Sequence, residues 1–162
     1  MREEQKIKIQ AVKGFLKMFS CSQSMLMTFS EFHHTPVSRD LLKAMIGFSA
    51  GISTMGDICG MFNGGAVVLG QKLTPIYASE EEQWKIALAC NIFFKQTKES
   101  VGTCSCGDIH GGKHLAKNFR KAILSGRAMK CFEMLYKGMG HLDGLLLGNQ
   151  ALTISDLSLI HI

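Results

Sequence analysis

Proline is nearly missing from this chain of 162 residues, which holds only Pro36 and Pro75. That excludes a Pro-rich spacer. Aromatic residues make up 8% and there is one tryptophan, Trp84, too few for an aromatic cage. No apolar run nears the ~18 residues that a membrane-spanning helix needs. The longest, residues 64–70, is far shorter, so no membrane span is expected. The start, Met1-Arg2-Glu3-Glu4-Gln5-Lys6, is charged and no apolar stretch of signal-peptide type follows it. A cytoplasmic location is therefore expected, where thiols stay reduced. The net charge of +5 is spread thinly, over Lys6, Lys8, Lys13 and Lys17 and later Lys113, Lys117, Arg120 and Lys121. Such spacing suits solvated helix faces better than a nucleic-acid stripe, and no nucleic acid is expected as partner.

What the chain does have is a 46% apolar content arranged with a helical period. Ile7, Ala11, Val12, Phe15 and Phe19 line one face. Ser20-Cys21-Ser22-Gln23 has the S-x-x-Q form of a capping box and opens a second helix over Met25, Leu26, Phe29 and Phe32. Pro36 ends it, because the residue before proline disfavours the α region. Ser38 can cap a third helix carrying Leu41, Leu42, Met45 and Ile46. After a glycine-rich stretch, Thr54 or Asp57 is expected to cap a helix reaching Leu73. Ser79 followed by Glu80, Glu81 and Glu82 is a strong start for a helix to about Lys98, with acids at the positive end of its dipole. A loop over 102–112 and helices over about 113–124 and 127–147 complete the chain. The expectation is an all-α, single-domain, compact bundle of six or seven helices over residues 1–156. Residues 157–162 (Leu-Ser-Leu-Ile-His-Ile) match a translated transposon end used in sequencing libraries, and read as a non-native tail.

Six cysteines stand at 21, 59, 90, 104, 106 and 131, with no C-x-x-C pair. This removes the thioredoxin motif and the zinc knuckle. Cys21 directly follows its capping serine, and Cys59 is expected in the first turn of its helix. Free N–H groups there favour a thiolate over the ordinary pKa of ~8.5; the alternative is a small apolar residue packing at a buried helix start. Gly56, Gly60 and Gly64 recur every four residues, which predicts one helical face beside Cys59. Each such glycine costs roughly 1 kcal/mol relative to alanine, so something must come close to that face: a second backbone or a cofactor. Cys104, Cys106, His110 and His114 form C-x-C-x3-H-x3-H, a soft donor set suited to zinc or iron but matching no standard module. Cys90, in a helix middle, reads as core, as do Met25, Met45, Met61 and Met134.

The blocks Gly47-Phe48-Ser49-Ala50-Gly51, Gly56-Asp57-Ile58-Cys59-Gly60-Met61-Phe62-Asn63-Gly64 and Val67-Val68-Leu69-Gly70 resemble the C_GCAxxG_C_C family of redox-active proteins. That family carries a CGAxxG motif and four characteristic cysteines. Cys21 resembles the first, Cys59 the second, Cys106 the third and Cys131 the fourth, over a stretch from about Ser20 to Leu147. The chain departs from the motif at Met61, where alanine is usual; the longer side chain could narrow a cofactor site or shield the thiol. Cys104 is an additional thiol, suited to resolve a disulfide or to serve as a further ligand.

Three functions follow. The first is dithiol/disulfide chemistry, with Cys59 as the low-pKa thiolate, Cys21 as its partner, and Cys106 and Cys131 as a second pair. Four cysteines permit three pairings, and sequence does not choose among them. Its partners would be a redox partner protein or a small thiol, with a homo-oligomer left open. The second is a zinc or iron–sulfur protein ligated by Cys21, Cys59, Cys106 and Cys131, with Cys104 and His110 as secondary candidates. Gly56, Gly60 and Gly64 would line the cofactor. The third is a helical interaction module with structural cysteines, in which Cys59→Ser and Cys106→Ser leave function intact.

Overall fold

A computed structural model describes residues 2–17, 20–73, 79–110, 124, 126 and 128–147. Within them the helices are α1 (Glu3–Leu16), α2 (Cys21–His33), α3 (Arg39–Ala44), α4 (Gly60–Leu73), α5 (Glu80–Val101), α6 (Cys106–Ile109) and α7 (Met129–Leu147). A single 3-10 turn, Met45–Phe48, follows α3. Among the described residues strand-like pairing is limited to one antiparallel bridge, Ile58 with Ser105. The architecture is all-α. No helix among the described residues is long and apolar enough to cross a membrane. The helix expected over 113–124, apart from Leu124, and the tail at 157–162 lie outside the described residues.

Three serines start helices by the same local chemistry. Ser20 Oγ accepts the Gln23 N–H (3.3 Å) while Gln23 Oε1 accepts the Ser20 N–H (3.1 Å). Ser79 and Glu82 repeat this box, and Ser38 Oγ accepts the Leu41 N–H at 3.1 Å. Each cap satisfies donors that the first helical turn leaves without partners. At the other end, α2 stops with His34 in the left-handed region and α5 with Gly102.

The start of α4 corrects the sequence expectation. Neither Thr54 nor Asp57 caps it; the helix begins at Gly60. Residues 50–54 all have positive φ, Ile52 and Thr54 among them. β-Branched residues resist that region, at a cost of roughly 1–2 kcal/mol each. Backbone bonds from Ser53 to Gly47 (2.9 Å) and from Asp57 to Gly51 (3.1 Å) hold the loop in shape. Residues 56–59 are then engaged with 104–107, and cannot also form a helical turn. The Cys59 N–H donates to Cys104 O (2.8 Å), the Cys106 N–H to Asp57 O (2.8 Å) and the Gly107 N–H to Gly56 O (2.7 Å).

α2 packs closely on α4, and α7 runs across α1, α5 and α4. Between them Met25, Leu26, Phe62, Leu69, Phe93, Met139 and other side chains are fully buried. Phe62, Phe93 and Phe94 form an aromatic cluster with centroids 4.8–6.0 Å apart. Such pairs contribute about 1 kcal/mol beyond burial. At the far end of α2, His33 Nε2 meets Asp143 Oδ1 of α7 at 2.9 Å.

Candidate functional site

The capping box at Ser20 occupies the Gln23 N–H and leaves those of Cys21 and Ser22 without helical partners. Both turn to the Cys21 sulfur, and the strained loop adds the Ala50 N–H. The largest influence, however, comes from another element. The Cys59 thiol hydrogen-bonds to Cys21, outweighing the cost of burial and, together with the three N–H groups, bringing the Cys21 pKa down to about 7. A thiolate is stabilised when donors replace the water it loses.

Cys59 precedes the first residue of α4, and its sulfur receives the Met61 N–H. It nevertheless stays a thiol. Donating to Cys21 raises its pKa first, and burial and the charge on Cys21 raise it further. This reverses the roles expected from sequence: Cys21 carries the thiolate, and Cys59 is the donor. The reason is geometric. Three N–H groups surround Cys21, against one at Cys59.

Cys106 opens α6, and Cys131 lies in the first turn of α7. Burial, then the charge on Cys21, pushes Cys106 up to about 11. Burial raises Cys131 too, followed by Cys21 and Cys106, while Cys131 acts in turn on Cys59. The structure thus draws Cys21, Cys59, Cys106 and Cys131 into one electrostatic neighbourhood, and all four are buried. Cys90 stands apart; burial alone raises it. Cys104 is half-buried and contributes its carbonyl to the Cys59 N–H.

The glycines are placed differently from the expected single face. Gly56 has φ +82 and sits in the loop before α4. Gly60 and Gly64 do lie on α4, and α2 fills the space beside them. A Cβ at Gly60 would stand 2.6 Å from Cys21 Sγ and 2.6 Å from Phe48 O. One at Gly64 would stand 2.6 Å from Ser22 O. The absent side chains let the start of α2 approach α4 until Cys21 reaches Cys59. Met61, the departure from the motif, is fully buried and packs on Gly138 of α7, where a Cβ would collide with its sulfur.

Two features had no counterpart in the sequence reading. His110, considered there as a metal ligand, places Nε2 3.2 Å from Cys131 Sγ. The short helix α6, expected as loop, is capped by Ser105 Oγ, which accepts the Asp108 N–H at 3.1 Å. The S-x-x-D spacing at 105–108 was the available signal. The donor set does not fit a metal: among the described residues no three His, Cys, Asp or Glu side chains are grouped to hold an ion. His114 lies outside the described residues.

The profile of the C_GCAxxG_C_C family, described as "putative redox-active protein", matches residues 19–145. The chain belongs to the C_GCAxxG_C_C family. The match takes in all four clustered cysteines and the Cys59-Gly60 block. No curated protein and no solved structure matches. What distinguishes this C_GCAxxG_C_C member is how its glycines are used: Gly60 and Gly64 are where the backbone of α2 comes nearest to α4.

Proposed function

We propose that this C_GCAxxG_C_C protein is a thiol redox protein in which Cys21 and Cys59 interconvert between dithiol and disulfide. One observation carries the reading: a thiol held against a thiolate at a helix N-terminus. That is the arrangement of an attacking and a resolving sulfur. The Cys21 thiolate attacks one sulfur of a substrate disulfide and forms a mixed disulfide; the other half leaves as thiolate and takes a proton from water. The Cys59 sulfur then attacks Cys21, losing its proton to the departing substrate sulfur. The substrate disulfide is reduced to two thiols, and the two cysteines are oxidised to one disulfide.

The reading calls for a reducing compartment such as the cytoplasm, and for a redox partner protein or a small thiol to return the disulfide to dithiol. Burial of both sulfurs favours a small or extended disulfide over a folded surface. The test is turnover of a small disulfide by the full chain with a reducing thiol present. Cys21→Ser and Cys59→Ser should abolish it, and Cys90→Ser should not. Turnover persisting in Cys21→Ser would refute the assignment.

A further inference from the structure

The dithiol reading uses two sulfurs of the four and leaves Cys131, Cys106 and His110 without a task. Cys131 is 7% exposed and His110 5%, so their 3.2 Å contact is shielded from bulk water. Different elements supply the two: His110 follows α6, whose start is fastened to the 56–59 loop, and Cys131 rides on α7. Burial and the charges on Cys21 and Cys106 keep Cys131 protonated. A thiol in that state is a poor nucleophile. The imidazole nitrogen within hydrogen-bond reach is the group able to take its proton as it attacks. Mutual influence of Cys131 with Cys59, and of Cys106 with Cys131, orders the sulfurs as neighbours from Cys21 through Cys59 and Cys131 to Cys106.

Building on the Cys21–Cys59 reading, we propose that His110 is the general base of a second dithiol, Cys131 and Cys106, which takes over the disulfide formed by the first. Cys131 Sγ attacks Cys59 Sγ as its proton passes to His110 Nε2. The Cys21–Cys59 bond breaks, and Cys21 leaves as the thiolate that its helix terminus favours. Cys106 Sγ then attacks Cys131 Sγ; Cys59 leaves and takes the Cys106 proton. One disulfide is broken and one formed. The proton gained by His110 matches the negative charge gained by Cys21.

The test adds one equivalent of 4,4′-dithiodipyridine to the fully reduced chain, with acid quenching over time and peptide mapping of each disulfide. In the unaltered protein the Cys21–Cys59 disulfide should appear first and decay as Cys106–Cys131 grows. In His110→Gln the rate of the second step relative to the first should fall by about 100-fold, the size of a general-base contribution. An unchanged ratio overturns the role of the imidazole. If glutamine at 110 prevents folding, His110→Ala serves with added imidazole: rescue of the second step supports the base, and its failure overturns it. A Cys21–Cys59 disulfide that forms and is never passed on sinks the relay while the first-pair reading stands. If no such disulfide forms, both fall.

Discussion

Replacing Cys59 with alanine removes the largest influence on Cys21, and the consequence can be worked through. With the S–H donor present, the Cys21 pKa is about 7 against a reference of 9.0. At pH 7 about half of Cys21 is then thiolate, whereas a pKa of 9 leaves about 1%. The loss of thiolate is thus about 50-fold. A more basic sulfur is a better nucleophile, however, with a Brønsted slope of about 0.4–0.5. Over the two-unit difference (9.0 − 7) that returns about 8-fold, so the alkylation rate at pH 7 falls by only about 6-fold. The rate is therefore a weaker readout than the shape of its pH dependence. Iodoacetamide labelling of Cys21, resolved by peptide mass, should show an inflection near 7 in the unaltered chain, displaced toward 9.0 in Cys59→Ala. An inflection that stays near 7 in the variant would refute the reasoning, because the N–H groups of Ala50, Ser22 and Cys21 would then suffice without the neighbouring thiol.

Three further outcomes are expected. Gly64→Ala sets a methyl 2.6 Å from Ser22 O, a backbone atom that cannot swing aside, so α2 and α4 must part; the cost should be about 2 kcal/mol, seen as a melting temperature lower by about 5 °C. An unchanged melting temperature would show that the helices do not meet there. Met61→Ala empties a fully buried site over Gly138 and should destabilise by about 3 kcal/mol in urea titration; a loss typical of surface substitutions would contradict that burial. Stability should also depend on pH. The depressed pKa of Cys21 means that the unfolded chain binds more protons between about 7 and 9.0, so its contribution is absent below 7 and grows through that window toward about 3 kcal/mol. Above 9.0 the sign reverses, since Cys59, Cys106 and Cys131 are held protonated in the folded chain. Urea midpoints should peak near 9 and lose their rise, but not their alkaline fall, in Cys21→Ser; a steady decline from neutral pH in the unaltered chain would contradict the thiolate assignment.

The caps at Ser20, Ser38 and Ser79 could be read directly from the residues, because each depends on a side chain and a backbone group three positions away. The buried stripes were equally open to reading: Ile7, Ala11 and Phe15 on α1, and Met25, Leu26 and Phe29 on α2, repeat with the helical period. The start of α4 was not. Asp57 looks like a cap in isolation, yet the backbone around it is bound to residues 104–107, and Gly56 O accepts from Ser105 Oγ across 49 positions. Local preference gave way to pairing with a distant segment.

Sequence alone determined that this is an all-α chain with glycines and cysteines at the spacing of the C_GCAxxG_C_C family, because helical period, capping and motif are short-range properties. Which sulfur is ionised was left to the tertiary structure. That depends on how many donors reach each thiol through space, and Ala50 and Cys59 arrive at Cys21 only because Gly60 and Gly64 let α2 and α4 close together. The same holds for His110 and Cys131, 21 positions apart, whose contact exists only once α6 and α7 are in place. A pKa reports the full three-dimensional surroundings of an atom, and no one-dimensional pattern contains them.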